Sequence, residues 1–137
     1  MTEHSSDQTL SVEDRNSLTK AIMNILDNWG MQAAEQVAIL DLPDKTPKRM
    51  LRRYREDTPF PDTPEVMKRL EHIIGIADAL RTTYPHNPMM GSIWMRRKND
   101  RFQSKSPLQL ISEEGLNGIL RIRTHLDCSF DWFEYKQ

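Results

Sequence analysis

Three of the four Ser/Thr-Pro pairs, Thr46-Pro47, Thr63-Pro64 and Ser106-Pro107, decide most of what this chain can fold into. A hydroxyl can accept from the free N–H groups of a first helical turn. A proline placed next loses nothing, because its missing N–H has no intrahelical partner there. Ahead of an apolar or two-sided run such a pair starts a helix. At Ser106 the signal is fullest, since Gln109 stands three residues on and completes a capping box, its side chain able to reach back to the N–H of Ser106. No stretch shows the period-two alternation of a half-buried strand, so the expected class is all-α.

Along the chain, residues 1–12 are polar and without period and are expected to be a frayed tail. Leu18, Ile22, Ile25, Leu26 and Trp29 then share one helical face, giving a helix from Val12 to Trp29 with Gly30 as its left-handed stop. A short helix from Met31 to Leu40 follows, with Glu35 and Gln36 expected to turn outward. The third, Pro47 to Glu56 with Thr46 as its cap, is two-sided. Met50, Leu51 and Tyr54 fall together, while Lys48, Arg49, Arg52 and Arg53 spread over the other face.

Residues 57–64 hold three prolines in eight positions, which no helix interior accepts, and are expected to join two halves. The division is then 13–57, a linker at 58–63, and 64–137. Val66, Leu70, Ile73, Ala77 and Leu80 are spaced four, three, four, three, the narrow seam of a helix lying along a partner from Pro64 to Thr83. That seam suits domain packing or dimerisation. A short helix at Met89 to Met95, a basic loop, the capped helix at Ser106 with its stop at Gly115, and a last helix from Leu116 to Leu126 complete the chain. After it Phe130, Trp132, Phe133 and Tyr135 put four aromatics in six residues. These either anchor a partner or fold back onto their own helices.

Totals exclude several classes. With 137 residues the chain can bury a core of one domain or two small ones. A net charge of −1 leaves no global field for nucleic acid or anionic lipid, so such a role needs locally segregated charge. One cysteine excludes a disulfide framework and fits a reducing cytoplasm. No apolar run approaches the ~20 residues of a membrane span, and no leader pattern opens the chain. His4, His72, His86 and His125 lack metal-ligand spacing, no glycine-rich phosphate loop exists, and Glu113-Glu114 fits a solvated pair. The expectation is a cytoplasmic protein that is not an enzyme and carries no cofactor or metal.

The helices at 31–40 and 47–56, behind a longer supporting helix, have the plan of a helix-turn-helix, whose second helix enters the major groove. Lys48, Arg49, Arg52 and Arg53 supply cations for phosphates. An arginine can also read a guanine edge, worth roughly 1 to 3 kcal/mol of discrimination. The same pattern also fits a solvated basic face. Arg96, Arg97, Lys98, Arg101 and Lys105 form a second basic run, which fits phosphate, an acidic partner or solvent.

Taken with their spacing, these residues resemble the Xre/MbcA/ParS antitoxin family, which joins a helix-turn-helix to a small helical toxin-binding domain. Trp94-Met95, Asn99, Phe102, Ser106-Pro107, Leu108, Leu110-Ile111 and Gly115 fall at the spacings of the family's toxin-binding pattern. Ile39-Leu40-Asp41-Leu42-Pro43, Thr46-Pro47 and Arg52-Arg53-Tyr54-Arg55 resemble its helix-turn-helix region. The likeness covers roughly residues 18–127. It departs at Gln103-Ser104, where the family has a glycine pair, and at Lys98, where it has proline.

The resemblance implies a type II toxin-antitoxin system. The protein would be a homodimer that represses its own operator DNA. It would also cover the active site of a RES-type toxin, a consumer of NAD. Lys48, Arg49, Arg52 and Arg53 are then the expected DNA contacts. Trp94, Asn99 and Arg101, with the aromatic Phe130, Trp132 and Phe133, are the expected toxin contacts. A stand-alone helix-turn-helix regulator and a protein-binding helical scaffold are the alternatives.

Overall fold

Residues 11–43 and 45–136 are described in the computed structural model of the chain, with side chains described as far as Cys128. Seven α-helices fill them: α1 Val12–Asn28, α2 Ala33–Ile39, α3 Lys48–Glu56, α4 Pro64–Thr83, α5 Met90–Arg96, α6 Pro107–Glu114 and α7 Leu116–Lys136. A 3-10 turn, Asp100–Phe102, lies in the basic loop, and no strand occurs among the described residues. The class is all-α.

Local chemistry sets most of the helix ends. Ser11 Oγ accepts from the N–H of Asp14 at 3.0 Å and opens α1. Thr63 Oγ1 accepts from Val66 at 3.2 Å, and Ser106 Oγ accepts from Gln109 at 3.1 Å, each with proline in the first turn. Two expected caps differ. Pro47 itself is the N-cap of α3, because the Thr46 hydroxyl donates back to the Pro43 carbonyl at 2.7 Å. Gln109 does not reach back to Ser106, its amide pairing instead with Glu113 at 3.3 Å, one turn on along the exposed face. Glu35 supplies that reciprocal bond for α2, accepting from the N–H of Gln32 at 2.7 Å.

Inside, α4 and α7 lie along each other, and α6 packs on α7. The buried stripe of α4 is Val66, Leu70, Ile73, Ile76 and Leu80, with Ile76 where the narrow seam places Ala77. A straight helix repeats every 3.6 residues rather than 3.5, and the branched side chain takes the covered position. In the first half α1 meets α3 and α4. Ile22, Leu26, Ile39 and Leu51 join Ile73, Met95, Leu110, Ile119 and Ile122 in one continuous buried cluster. Each such side chain contributes about 1.5–3 kcal/mol on leaving water.

The proline segment is tied into this core. Phe60 is 3% exposed and meets Tyr54 edge-on, centroids 4.8 Å apart. Its N–H donates to Thr19 Oγ1 at 3.0 Å, and its carbonyl accepts from Arg15 at 3.1 Å. A segment without internal helix bonds thus places its backbone polar groups on α1.

The last helix continues past Leu126 to Lys136, since nothing in 119–136 is proline or glycine to stop it. At its start Gly118 lets α6 and α7 touch. A Cβ there would lie 2.6 Å from the Leu110 carbonyl oxygen.

Candidate functional site

Two surfaces hold the residues singled out from the sequence. The first is α3. Lys48, Arg49, Arg52 and Arg53 are all exposed, and none has an ion-pair partner among the described residues. Leu51 and Tyr54 are buried beneath them, at 2% and 5% exposure. The period of 3.6 therefore divides α3 into a seated face and a cationic face.

Arg55 behaves differently and fixes that orientation. Its Nε donates to Asp27 Oδ2 and its Nη2 to Asp27 Oδ1, both at 2.8 Å, a two-pronged contact between α3 and α1. Nη2 also donates to Gln36 Oε1 at 3.0 Å. Gln36, expected to face outward, is 1% exposed. Its amide donates to Asp27 Oδ1 at 2.8 Å and to the Met31 carbonyl at 3.1 Å. A buried amide is tolerated when both its ends are bonded, as here. The hydrogen bonds from Arg55 hold the Asp27 carboxyl below its ordinary range. One triad thus pins α1, α2 and α3 together, so α3 cannot roll its cations inward without breaking it.

The second surface is the loop from Arg97 to Lys105. Asn99 exchanges a backbone bridge with Lys105, its N–H donating to that carbonyl at 3.1 Å. The Asn99 side chain accepts from the N–H of Arg101 at 2.9 Å and caps the 3-10 turn. The chain then reverses through two successive left-handed residues, Gln103 at φ 59° and Ser104 at φ 65°. Phe102, 3% exposed, is the loop's anchor. It meets Trp94 edge-on at 6.4 Å and His125 at 5.3 Å, while Trp94 and His125 stack at 6.2 Å.

The basic run is split by this folding. Arg96 belongs to the frame: it donates to the carbonyls of Trp29, at 3.2 Å, and Gly30, closing the C-terminus of α1 where Gly30 turns at φ 75°. Lys105 pairs with Glu113. Arg97, Lys98 and Arg101 remain exposed without an ion-pair partner among the described residues. Beside them, Arg101, Phe102, Asn117, Thr124, His125 and the Arg121–Glu114 ion pair line an open groove of about 640 Å³. Burial holds His125 below its ordinary value, and the charge of Arg101 adds to that.

Of the expected toxin contacts, Arg101 is exposed, while half-buried Trp94 and Asn99 hold the loop in shape. The side chains of Phe130, Trp132 and Phe133 lie outside the described residues, on the continuing turns of α7. His125, Gln36, Arg55 and Arg96 carry structure that spacing along the chain does not reveal, since each finds its partners on another element. Among the described residues no His, Cys, Asp and Glu group gathers to hold a metal ion, and no helix is long and apolar enough to cross a membrane.

No protein-family model matches the chain. It is similar to a protein named uncharacterized protein y4oB of Sinorhizobium fredii (strain NBRC 101917 / NGR234), at 28% identity over 109 residues. The match covers 80% of this chain and 81% of that protein.

Proposed function

We propose that this protein is an antitoxin of the Xre/MbcA/ParS type. In this reading α1 to α3 bind operator DNA, and residues 64–137 cover the active site of a RES-type, NAD-consuming toxin. One observation carries the proposal. Gln103 and Ser104, which stand where the resembled family has its glycine pair, are two consecutive residues in the left-handed region. Glycine populates that region freely and other residues rarely do, so a backbone that would suit a glycine pair at these two positions supports the resemblance. The Ser106-Pro107 helix start that follows sits where the same pattern requires it.

The cationic face of α3 supports the DNA half. Four cations held outward by a pinned helix suit phosphate contact, and a homodimer doubles them over two half-sites. Inhibition of the toxin would be steric, which demands a complementary surface and no catalytic group. Arg97, Lys98 and Arg101 are the exposed cations without an ion-pair partner among the described residues that the loop offers to it.

The test is co-expression with the product of the adjacent reading frame. A tight complex by size exclusion, with NAD loss prevented, is expected. Arg49, Arg52 and Arg53 changed together to alanine is expected to abolish promoter binding in a gel shift while neutralisation persists. Unchanged DNA affinity would overturn the assignment of α3.

A further inference from the structure

The stripe of α4 that seats on α7 is fully used inside the molecule, but α4 carries a second apolar stripe on the side facing α1. Met67 and Ile74, half-buried, flank a groove floored by buried Leu70 and walled by Leu18 of α1 and by Pro64. Exposed Lys68 and Glu71 stand at its rim, one turn apart, and neither has an ion-pair partner among the described residues.

We infer that this groove is the homodimer interface, with α4 crossing α4 of a second copy antiparallel about a two-fold axis near the middle of the Lys68–Glu71 turn. An isologous contact must be complementary to itself, because each residue that meets another is met by it in return. The groove satisfies that condition. Around such an axis Lys68 of each copy faces Glu71 of the other, while Met67, Ile74 and Leu18 of both copies close over the apolar floor. Two opposite charges within one turn of an apolar stripe would place a like charge against any partner of uniform sign. The apolar stripe supplies the affinity, and the exposed charge pairs set the register.

The inference rests on the homodimer proposed above but on no contact with DNA or toxin, so it stands or falls separately. Analytical ultracentrifugation of the full chain is the experiment, with circular dichroism to show that each variant is folded. The wild-type protein is expected to be a dimer. Lys68→Glu and Glu71→Lys are each expected to weaken it by at least ~tenfold in Kd, because each places like charges opposite one another twice. The double variant is expected to recover dimerisation, since the pairs re-form with reversed signs. Met67→Glu, which buries charge against the floor, is expected to be monomeric. A monomeric wild-type protein, or single charge reversals that leave Kd unchanged, would overturn the inference, as would a double variant no tighter than the singles. Alanine at Arg49, Arg52 and Arg53 is expected to leave the dimer intact even where DNA binding is lost, which separates failure of this interface from failure of the DNA assignment.

Discussion

Trp94 and His125 stack with their ring centroids 6.2 Å apart and their planes within 13° of parallel, joining the end of α5 to the middle of α7. The basic loop departs beside this stack and returns through Phe102, which meets both rings edge-on. The loop's shape therefore depends on an imidazole whose pKa burial, and then the charge of Arg101, holds below its ordinary value.

That dependence gives a pH effect of defined sign. The folded-state value of His125 lies below the ordinary 6.5, so the unfolded chain binds more protons in the window between the two. Stability is complete above about pH 6.5 and falls as the pH drops toward the folded value. His125→Phe keeps an aromatic ring in place and removes the titration. Urea midpoints at pH 7.5 and 5.5 are expected to differ less in that variant than in the wild type. Part of the slope persists, because burial and the nearby Arg123 guanidinium lower His72 as well.

Gln103 and Ser104 occupy a conformation that costs an L-residue roughly 1–2 kcal/mol. Glycine removes that cost but adds unfolded-state entropy of about 0.5–1 kcal/mol. Each of Gln103→Gly and Ser104→Gly is therefore expected to stabilise the protein modestly, by up to ~1 kcal/mol in chemical denaturation. A loss of stability for both would show that their side chains matter more than their backbone.

Arg55→Met is expected to lower stability by roughly 1–2 kcal/mol, since it strips the buried Gln36 carbonyl of its donor and leaves the Asp27 carboxylate with the Gln36 amide alone. Under the proposed DNA contact of α3, the same variant is expected to weaken promoter binding as well, because α3 is no longer held in orientation. Asp27→Asn tests the electrostatic part. The depressed carboxyl value makes Asp27 stabilising above about pH 4, and that share is lost as the pH falls through its folded value. Acid unfolding is expected to be shallower in the variant.

Gly118→Ala forces a methyl group to within 2.6 Å of the Leu110 carbonyl oxygen unless α6 and α7 separate. Overpacking of this kind costs about 1–3 kcal/mol. A thermal midpoint unchanged from wild type would mean that the crossing relaxes freely.

The helices and their starts were legible because the signals are local. Thr63 and Ser106 cap within three residues of themselves, and the two faces of α3 follow from periodicity alone. What stayed hidden depends on partners distant in sequence. Gln36 reads as a solvated helix residue until Asp27 and Arg55 arrive to bond it. Arg96 reads as one more loop cation, yet it closes α1 across the fold. Phe60 lies in a segment that composition marks as a linker, and only the pocket formed by Tyr54 and α1 makes it core. The left-handed pair at 103–104 gives no sequence signal of its own, since glutamine and serine favour other conformations.

The most direct test of the proposed antitoxin role is the NAD content of cells expressing the product of the adjacent reading frame, with and without this protein. Neutralisation predicts that the adjacent product alone depletes NAD and that co-expression of this chain restores it, with both proteins eluting as one complex. NAD that stays depleted while the folded protein accumulates uncomplexed would contradict it.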